Sequence, residues 1–169
     1  MSDRYFFKIK KPSSIITPYF RNNLSTITSS FQQYFNWASS EVPQEVWRQE
    51  SVLSELDKAF EIKKAGVISI EKDSAYDWHK DDYRGVSVNM VLECDHGHTL
   101  FKTRPSKYQV EKIKELKYEP NTFYLFNTQI DHCVINFNKT RYVFSCEFKK
   151  KKDELNYMTV LDWIKNNEK

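Results

Sequence analysis

Glycine is scarce in this sequence: only Gly66, Gly85 and Gly97 occur among its 169 residues. Loops that cradle phosphates, and the fingerprints that bind dinucleotides, need several closely spaced glycines so that the backbone can approach the ligand. The three glycines here are too widely spaced for either motif. The sequence therefore excludes a Gly-rich phosphate-binding loop.

Cysteine is also rare, and its spacing fits neither of two common roles. Cys94, Cys133 and Cys146 are an odd number, so they cannot all pair within the chain, and their spacing matches no zinc motif. Reduced thiols are typical of proteins in a reducing compartment. We therefore expect free thiols and a cytoplasmic location.

The chain has no long apolar run and little net charge. No apolar stretch approaches the roughly 18 residues that a membrane-spanning helix needs. The N-terminal stretch carries Lys8, Lys10 and Lys11 and lacks the apolar segment of a secretory signal. A net charge of +3 does not require a nucleic-acid partner. We expect no membrane association, and we favour a partner other than nucleic acid, which the net charge alone does not exclude.

The composition is that of a folded protein. Hydrophobic residues make up 40% of the chain and aromatic residues 15%, which suffices for a sizeable core. At this length we expect one domain, residues 1–169. Its predicted parts are an N-terminal helical support at about 1–66, a β core at about 67–148, and a C-terminal helix at about 153–167.

The helical support rests on two apolar patterns. Apolar residues at roughly helical spacing predict one helix over 22–38. Pro43 suits the first turn of a second helix, and Gly66 is its expected end. The buried stripes of the two helices are predicted to be Leu24, Ile27, Phe31, Tyr34 and Phe35, then Val46, Leu53, Leu56 and Phe60.

After Gly66 the apolar period changes to that of β-strands. Residues 95–98 predict a hairpin turn between two of these strands, and 108–118 fit no single pattern. Many short strands joined by turns predict a sandwich or barrel-like β core, with the fold class mostly β and flanking helices (α+β). The predicted strands are 5–9, 67–70, 86–93, 99–102, 122–127, 133–137 and 142–148.

The stretch 76–81 places an imidazole and a carboxylate two residues apart. If the backbone is extended there, His79 and Asp81 share one face and can offer a nitrogen and an oxygen to one metal ion. His132 lies 53 residues after His79, and Arg141 follows nine residues later. Two imidazoles and one carboxylate match the ligand set of non-haem iron sites, so we expect a metal at His79, Asp81 and His132.

Strand alternation also groups Arg141 with the metal ligands. It places Arg141 and Ser145 on one face of the last strand, and His132 on one face of the strand before it. If these strands pair side by side, the three side chains share one cavity. An arginine in an apolar strand needs a partner, which is either a bound carboxylate or a structural ion pair with Glu147 or Glu93.

These residues resemble the iron(II)/2-oxoglutarate-dependent oxygenase superfamily. The pattern is His79-Lys80-Asp81, then His132, then Arg141, with the order and spacing of that superfamily. The stretch 76–81 is also similar to the Tyr-x-x-His-x-Asp motif of prolyl-hydroxylase-like members, and the chain resembles small phage-type members as well. The resemblance covers about 67–148.

The resemblance implies a double-stranded β-helix core of the jelly-roll, cupin-like kind. It implies that His79, Asp81 and His132 bind Fe(II) and that the cosubstrates are 2-oxoglutarate and O2. Arg141 then binds the far carboxylate of 2-oxoglutarate. Ser145 and Asn89 are further candidates for the cosubstrate, although Asn89 suits a strand-end cap equally well.

The implied activity is that of a dioxygenase, most simply a hydroxylase of an amino-acid or protein side chain. Tyr76, Tyr83 and Arg84 adjoin the metal motif and are the candidate residues for a small-molecule or peptidyl substrate. The lysines at 149–152 are expected to be a solvated connector. His96 and His98 are expected in the turn, because no glutamate ligand follows them.

Two alternatives of other classes remain. One is a β-barrel binding module without turnover, which would have no need to keep all four polar residues. The other is a nucleic-acid-modifying oxygenase of the same superfamily, which would need a strongly basic groove.

Overall fold

The computed structural model describes residues 4–94, 96–103, 106–109 and 111–168. Within these ranges the chain forms eleven strands and five helices. In chain order they are β1 (Phe6–Lys8), α1 (Ile16–Asn22), α2 (Leu24–Ser29), β2 (Gln32–Gln33), β3 (Trp37–Glu41), α3 (Gln44–Trp47), α4 (Ser51–Phe60), β4 (Ile62–Ile70), β5 (Ser74–His79), β6 (Ser87–Glu93), β7 (Gly97–Thr103), β8 (Lys112–Glu115), β9 (Tyr124–Phe126), β10 (Asp131–Asn136), β11 (Arg141–Phe148) and α5 (Tyr157–Asn167).

In the described part of the chain the strands form two antiparallel sheets. The larger sheet has seven strands in the order β1-β9-β6-β11-β4-β3-β2, and the smaller has four in the order β5-β10-β7-β8. The sheets face each other, and Phe101 of the smaller contacts Phe126 of the larger with ring centroids 4.5 Å apart. Two facing antiparallel sheets are the arrangement of a jelly roll.

The outer face of the seven-stranded sheet is covered by helices. Along β11, Phe144, Cys146 and Phe148 are buried in the main apolar core, together with residues of α1, α4 and α5. The alternate residues Arg141 and Ser145 face the space between the sheets. Period-2 alternation on this strand therefore divides packing residues from site residues, as the sequence predicts.

Glu50 joins the N-terminal segments to α4. Its buried carboxylate accepts hydrogen bonds from the Ser13 hydroxyl and from the backbone N–H groups of Ser14, Ile15 and Ile16. These amides precede or begin α1, where no side chain of the helix itself caps the N–H groups. A carboxylate there satisfies orphan donors and favours the helix dipole.

The helix predicted over 22–38 is wrong in its second half. The helix α2 ends at Ser29, and a short hairpin of β2 and β3 follows. The hydroxyl groups of Thr28, Ser29 and Ser30 each donate to a carbonyl three residues earlier. Such bonds compete with continued helix. Tyr34 and Phe35, predicted in the buried stripe, are exposed.

Gly66 does not end a helix, because it lies within strand β4. The helix α4 ends at Phe60, and β4 begins at Ile62, so the predicted helical support over 1–66 also contains four strands or parts of strands. A Cβ at Gly66 would lie 2.7 Å from the Ser40 carbonyl oxygen of the neighbouring strand. The glycine permits the close approach of β3 and β4.

The predicted pairing of two strand pairs is also wrong. The strand β7 pairs with β10 and β8, and within the described ranges it does not pair with β6. Gly97 and His98, predicted in a hairpin turn, lie in β7, and Asp95 lies outside the described residues. Likewise β10 and β11 belong to different sheets and do not pair side by side. Their inner faces instead meet across the space between the sheets.

Two remaining features complete the fold. The helix α5 begins at Tyr157, slightly later than predicted, and the Asn156 side chain caps it by accepting a hydrogen bond from the Thr159 N–H. Among the described residues, no helix is long and apolar enough to span a membrane.

Candidate metal centre and adjoining cavities

His79, Asp81 and His132 come together at the end of the smaller sheet. One potential ligand atom from each lies within 4.8 Å of the others. The Nε2 atoms of both histidines are 3.7 Å from Oδ1 of Asp81. Among the described residues this is the only such cluster of histidine, cysteine and acidic side chains. Its donor set is that of the two-histidine, one-carboxylate iron sites.

Both imidazoles are oriented by the backbone. The Nδ1 atom of His79 lies 2.7 Å from the Asp77 carbonyl oxygen, and that of His132 lies 2.9 Å from the Ile130 carbonyl oxygen. A carbonyl only accepts, so Nδ1 carries the proton in each ring, and the lone pair of Nε2 faces the cluster. This is the usual way in which a protein fixes the tautomer of a metal-binding histidine.

His132 is held in the neutral form that a metal requires. Burial lowers the pKa of its imidazole to about 4, which outweighs the raising effect of the hydrogen bond to the Ile130 carbonyl. Neutral imidazole is the ligand form, so no proton must leave His132 at neutral pH before a metal binds.

Asp81 lies in a loop and not in a strand. Strand β5 ends at His79, so the predicted alternation does not extend to the carboxylate. The Asp81 N–H donates to the Thr128 carbonyl, and the Asp81 carbonyl accepts from the Gln129 side chain. These bonds place the carboxylate beside both imidazoles, the position that the sequence predicts by a different route.

An inner cavity of about 130 Å³ extends from the cluster between the two sheets. Arg141 lies at its wall and is almost fully buried. Its guanidinium donates to the Thr99 hydroxyl at 2.7 Å and to the His98 carbonyl at 3.4 Å, and it lies 5.4 Å from the centre of the Tyr118 ring. The positive charge of Arg141 therefore lies in the cavity wall, and the groups that hold it there are uncharged.

No carboxylate neutralises Arg141 among the described residues. The predicted alternative partner Glu147 pairs with Lys63 at 2.8 Å and with Lys64 at 3.8 Å, and no ion pair joins Arg141 to Glu93 within the described ranges. The Nε atom of Arg141 is buried without a hydrogen-bond partner. A bound anion would stabilise a buried cation of this kind.

Other polar atoms of the inner cavity also lack partners. Oδ1 of Asn89 and Oγ of Ser87 are buried without a hydrogen-bond partner, and both residues line this cavity. Ser145 lines it too, and its hydroxyl accepts a hydrogen bond from Arg84. The cavity thus combines a buried arginine, which lacks a carboxylate partner among the described residues, with polar atoms that have no hydrogen-bond partner, and this fits a small, polar, anionic ligand.

Tyr118 and Thr99 are cavity residues that sequence reasoning missed. Burial raises the pKa of the Tyr118 phenol to about 12, against a lowering by Arg141 and by a hydrogen bond with Thr99. The phenol is therefore a neutral hydrogen-bond donor beside the guanidinium. Its segment, 108–118, has no clear apolar period, and only the fold brings it to Arg141.

A wider outer cleft of about 770 Å³ opens on the other side of the cluster. The three predicted substrate residues, Tyr76, Tyr83 and Arg84, all line it. Tyr34 and Trp37, stacked with ring centroids 4.1 Å apart, form another part of its wall. The outer cleft is large enough for a ligand of drug size, whereas the inner cavity is not.

The remaining candidates lie outside the cluster. His98 is engaged with Glu115, with Nδ1 2.6 Å from a carboxylate oxygen. The lysine run 149–152 is exposed, as expected of a connector, but it lies next to the loop that follows Asp81. The Lys152 N–H donates to the Tyr83 carbonyl, and the Lys151 amine lies 5.9 Å from the Tyr83 ring.

No family model and no curated protein matches the chain. Solved structures do resemble it. A prolyl hydroxylase from Trichoplax adhaerens, in complex with a hypoxia inducible factor oxygen degradation domain peptide, is 14% identical over 85% of this chain and 82% of that chain, with a TM-score of 0.62.

Two other structures show the same likeness. HygX from Streptomyces hygroscopicus, with nickel, 2-oxoglutarate and hygromycin B bound, is 9% identical over 88% of this chain and 84% of that chain, with a TM-score of 0.63. The viral collagen prolyl hydroxylase of Paramecium Bursaria Chlorella virus-1, in its 2-oxoglutarate complex, is 13% identical over 86% and 96%, with a TM-score of 0.60. At these identities the likeness establishes the fold, and the predicted double-stranded β-helix is confirmed.

Proposed function

We propose that the chain is an Fe(II)- and 2-oxoglutarate-dependent dioxygenase. The observation that carries this proposal is the placement, around one small cavity, of a His/Asp/His cluster and a buried arginine that has no carboxylate partner among the described residues. A metal site explains the cluster alone, and an anion site explains Arg141 alone. A ligand that binds a metal at one end and an arginine at the other explains both.

In the proposed complex, His79, Asp81 and His132 would hold the iron, and three protein ligands would leave other coordination positions for the cosubstrates. The chemistry that this group supplies when bound is the oxidation of a substrate C–H bond by O2, coupled to conversion of 2-oxoglutarate to succinate and carbon dioxide. The chain positions the reactants and keeps bulk water out of the inner cavity. HygX and the viral hydroxylase, which share the fold, are described with 2-oxoglutarate bound.

In this proposal three side chains bind the far carboxylate of 2-oxoglutarate. Arg141 supplies the charge, Tyr118 supplies a neutral phenol donor, and Thr99 orients both through its hydroxyl. Charge-assisted bonds of this kind are about twice as strong as neutral ones. Asn89 and Ser145 remain candidates for further contacts to the cosubstrate, because both line the cavity.

The proposed reaction is hydroxylation of an amino-acid or protein side chain held in the outer cleft. Tyr76, Tyr83 and Arg84 line this cleft beside the cluster. The prolyl hydroxylase of Trichoplax adhaerens, which has the same fold, is described with a peptide bound.

Cys94, Cys133 and Cys146 are all free, which supports the proposed cytoplasmic location. We also propose that residues 1–169 act as one domain.

Succinate release tests this function. Protein loaded anaerobically with Fe(II) and 2-oxoglutarate should show visible charge-transfer absorption and should form succinate slowly when O2 is admitted, even without substrate. His79→Ala, Asp81→Ala and His132→Ala should each abolish succinate formation. His98→Ala is the control, because His98 is engaged with Glu115 outside the cluster.

Other outcomes would contradict the proposal. Binding of iron and 2-oxoglutarate without succinate formation would favour the non-catalytic binding module. Turnover stimulated by oligonucleotides, with a steep decrease as salt rises, would favour a nucleic-acid substrate. Full activity of His132→Ala would remove that residue from the metal site.

A further inference from the structure

The two oxygens of the Asp81 carboxylate have different partners. Oδ1 lies 3.7 Å from the Nε2 atoms of both histidines in the cluster. Oδ2 accepts a hydrogen bond from Nε of Arg84 at 2.6 Å. Arg84 also donates from Nη1 to the Ser145 hydroxyl at 3.3 Å. One oxygen therefore faces the imidazoles, and the other is held by a cation.

Hydrogen bonds hold the backbone of both residues of this ion pair. The Arg84 carbonyl accepts hydrogen bonds from the Thr128 hydroxyl at 2.6 Å and from the Gln129 side-chain amide at 2.7 Å. The same amide donates to the Asp81 carbonyl at 2.8 Å, and the Asp81 N–H donates to the Thr128 carbonyl at 3.0 Å. One turn, 127–130, thus fixes both members of the ion pair.

We propose that Arg84 is a positioning residue for the metal and does not bind substrate directly. By holding Oδ2, it makes Asp81 bind the metal through Oδ1 alone. A carboxylate that used both oxygens would take one more coordination position, which 2-oxoglutarate or O2 needs. This inference rests on the proposed function, because it takes the cluster to be a metal site. It replaces the substrate-contact role predicted for Arg84 from the sequence.

The position of Arg84 supports this assignment. The residue lines both the inner cavity and the outer cleft, so its guanidinium stands at the boundary between them. Its side chain is 31% exposed and that of Asp81 is 10% exposed, so water screens their interaction only partly. Partners that orient a metal ligand typically change metal affinity 10- to 100-fold when they are removed.

Charge repulsion is the competing effect, and it has the opposite sign. A guanidinium near a divalent cation disfavours metal binding, so a purely electrostatic role predicts tighter binding once the charge is removed. Positioning predicts weaker binding, because the freed carboxylate can rotate and must be ordered again by the metal. The two roles are therefore distinguished by the direction of one measured change.

Cobalt(II) is the probe, titrated into the apo-protein without 2-oxoglutarate and followed by calorimetry and visible absorption. Arg84→Met keeps the length of the side chain but removes its donors and charge. We expect about 10- to 100-fold weaker cobalt binding. We also expect an altered visible spectrum, since coordination by both oxygens of Asp81 would occupy one more position on the metal. Arg84→Lys keeps the charge without the guanidinium fork, so its cobalt affinity should lie between that of the parent and that of Arg84→Met.

Arg48→Met is the matched control. Arg48 forms a comparable ion pair with Asp57, with a nitrogen-to-oxygen distance of 2.9 Å, and this pair lies outside the cluster. This variant should bind cobalt like the parent, with the same spectrum. If Arg84→Met does not fold, Arg84→Lys decides the question by the same two measurements. An unchanged affinity and spectrum, or tighter binding, would overturn the positioning role while leaving the proposed function intact. A parent protein that binds no cobalt would overturn both.

Discussion

His132 and Arg141 line the same inner cavity from two different sheets. His132 lies on β10 of the four-stranded sheet, and Arg141 begins β11 of the seven-stranded sheet. The four residues between these strands therefore carry the chain from one sheet to the other. His132 and Arg141 are nine residues apart in sequence, yet they lie in different sheets on two sides of the cavity.

Removal of Arg141 should affect the cosubstrate and not the metal. Arg141→Ala should weaken 2-oxoglutarate binding by roughly 2–5 kcal/mol, the cost of losing one partner of a buried charged pair. Calorimetry on the cobalt-loaded protein measures this change, and cobalt affinity is the internal reference. Equal 2-oxoglutarate affinity in the variant and the parent would return Arg141 to a structural role.

Gly97 lies against the same guanidinium. A Cβ at Gly97 would lie 2.8 Å from Sγ of Cys94 and 3.2 Å from both Nη1 of Arg141 and Oδ1 of Asn136. Gly97→Ala should therefore displace Arg141 and lower 2-oxoglutarate affinity, with cobalt affinity unchanged. Crowding of this kind lowers the free energy of unfolding by about 1–3 kcal/mol.

Gly66→Ala is the control for the Gly97 variant. It crowds the Ser40 carbonyl in the larger sheet and should lower stability in urea unfolding without changing 2-oxoglutarate affinity. If the two variants lower that affinity equally, the effect is a general loss of stability and not displacement of Arg141.

Tyr118 should influence stability at alkaline pH. Its pKa in the folded protein is about 12, against an ordinary value of 10.0, because burial disfavours the phenolate. The stabilisation by the neutral phenol is therefore complete below pH 10 and is lost as pH rises from 10 towards 12.

Tyr118→Phe should have a shallower fall in the free energy of unfolding between pH 9 and pH 11 than the parent, measured by urea denaturation. Tyr108→Phe is the control, since Tyr108 is 85% exposed and should unfold like the parent. The same alkaline slope in the Tyr118 variant would contradict a buried, neutral phenol.

Glu50 should be important for stability alone. Glu50→Ala leaves three backbone donors and the Ser13 hydroxyl without their acceptor, so unfolding free energy should fall by more than about 2 kcal/mol. Glu50→Gln keeps one acceptor oxygen and should lose less. Glu55→Ala, which removes an exposed pair with Lys11, should cost less than about 1 kcal/mol. Cobalt binding should survive in all three variants.

Local periodicity predicts faces well and partners poorly. Alternation placed Arg141 and Ser145 opposite Phe144 and Cys146, and the structure separates them in this way. It could not predict that β10 and β11 lie in different sheets, because sheet membership depends on contacts between residues far apart in sequence.

The same limit explains the other differences. Tyr118 reaches Arg141 only through the packing of one sheet on the other, so no local pattern identifies it. The second half of the predicted helix over 22–38 is wrong because the hydroxyls of Thr28 and Ser29 bond to the backbone. The spacing of apolar residues carries no information about this competition.

The placement of the site between the sheets has a consequence for the lifetime of the protein. A metal bound to the smaller sheet and a dicarboxylate bound to both would act as a removable cross-link. A ligand that binds only the folded form raises the free energy of unfolding by about 2.7 kcal/mol when its concentration is a hundred times its Kd. If the proposed function holds, resistance to proteolysis would follow the supply of iron and 2-oxoglutarate, so starvation for either one would shorten the survival of the protein.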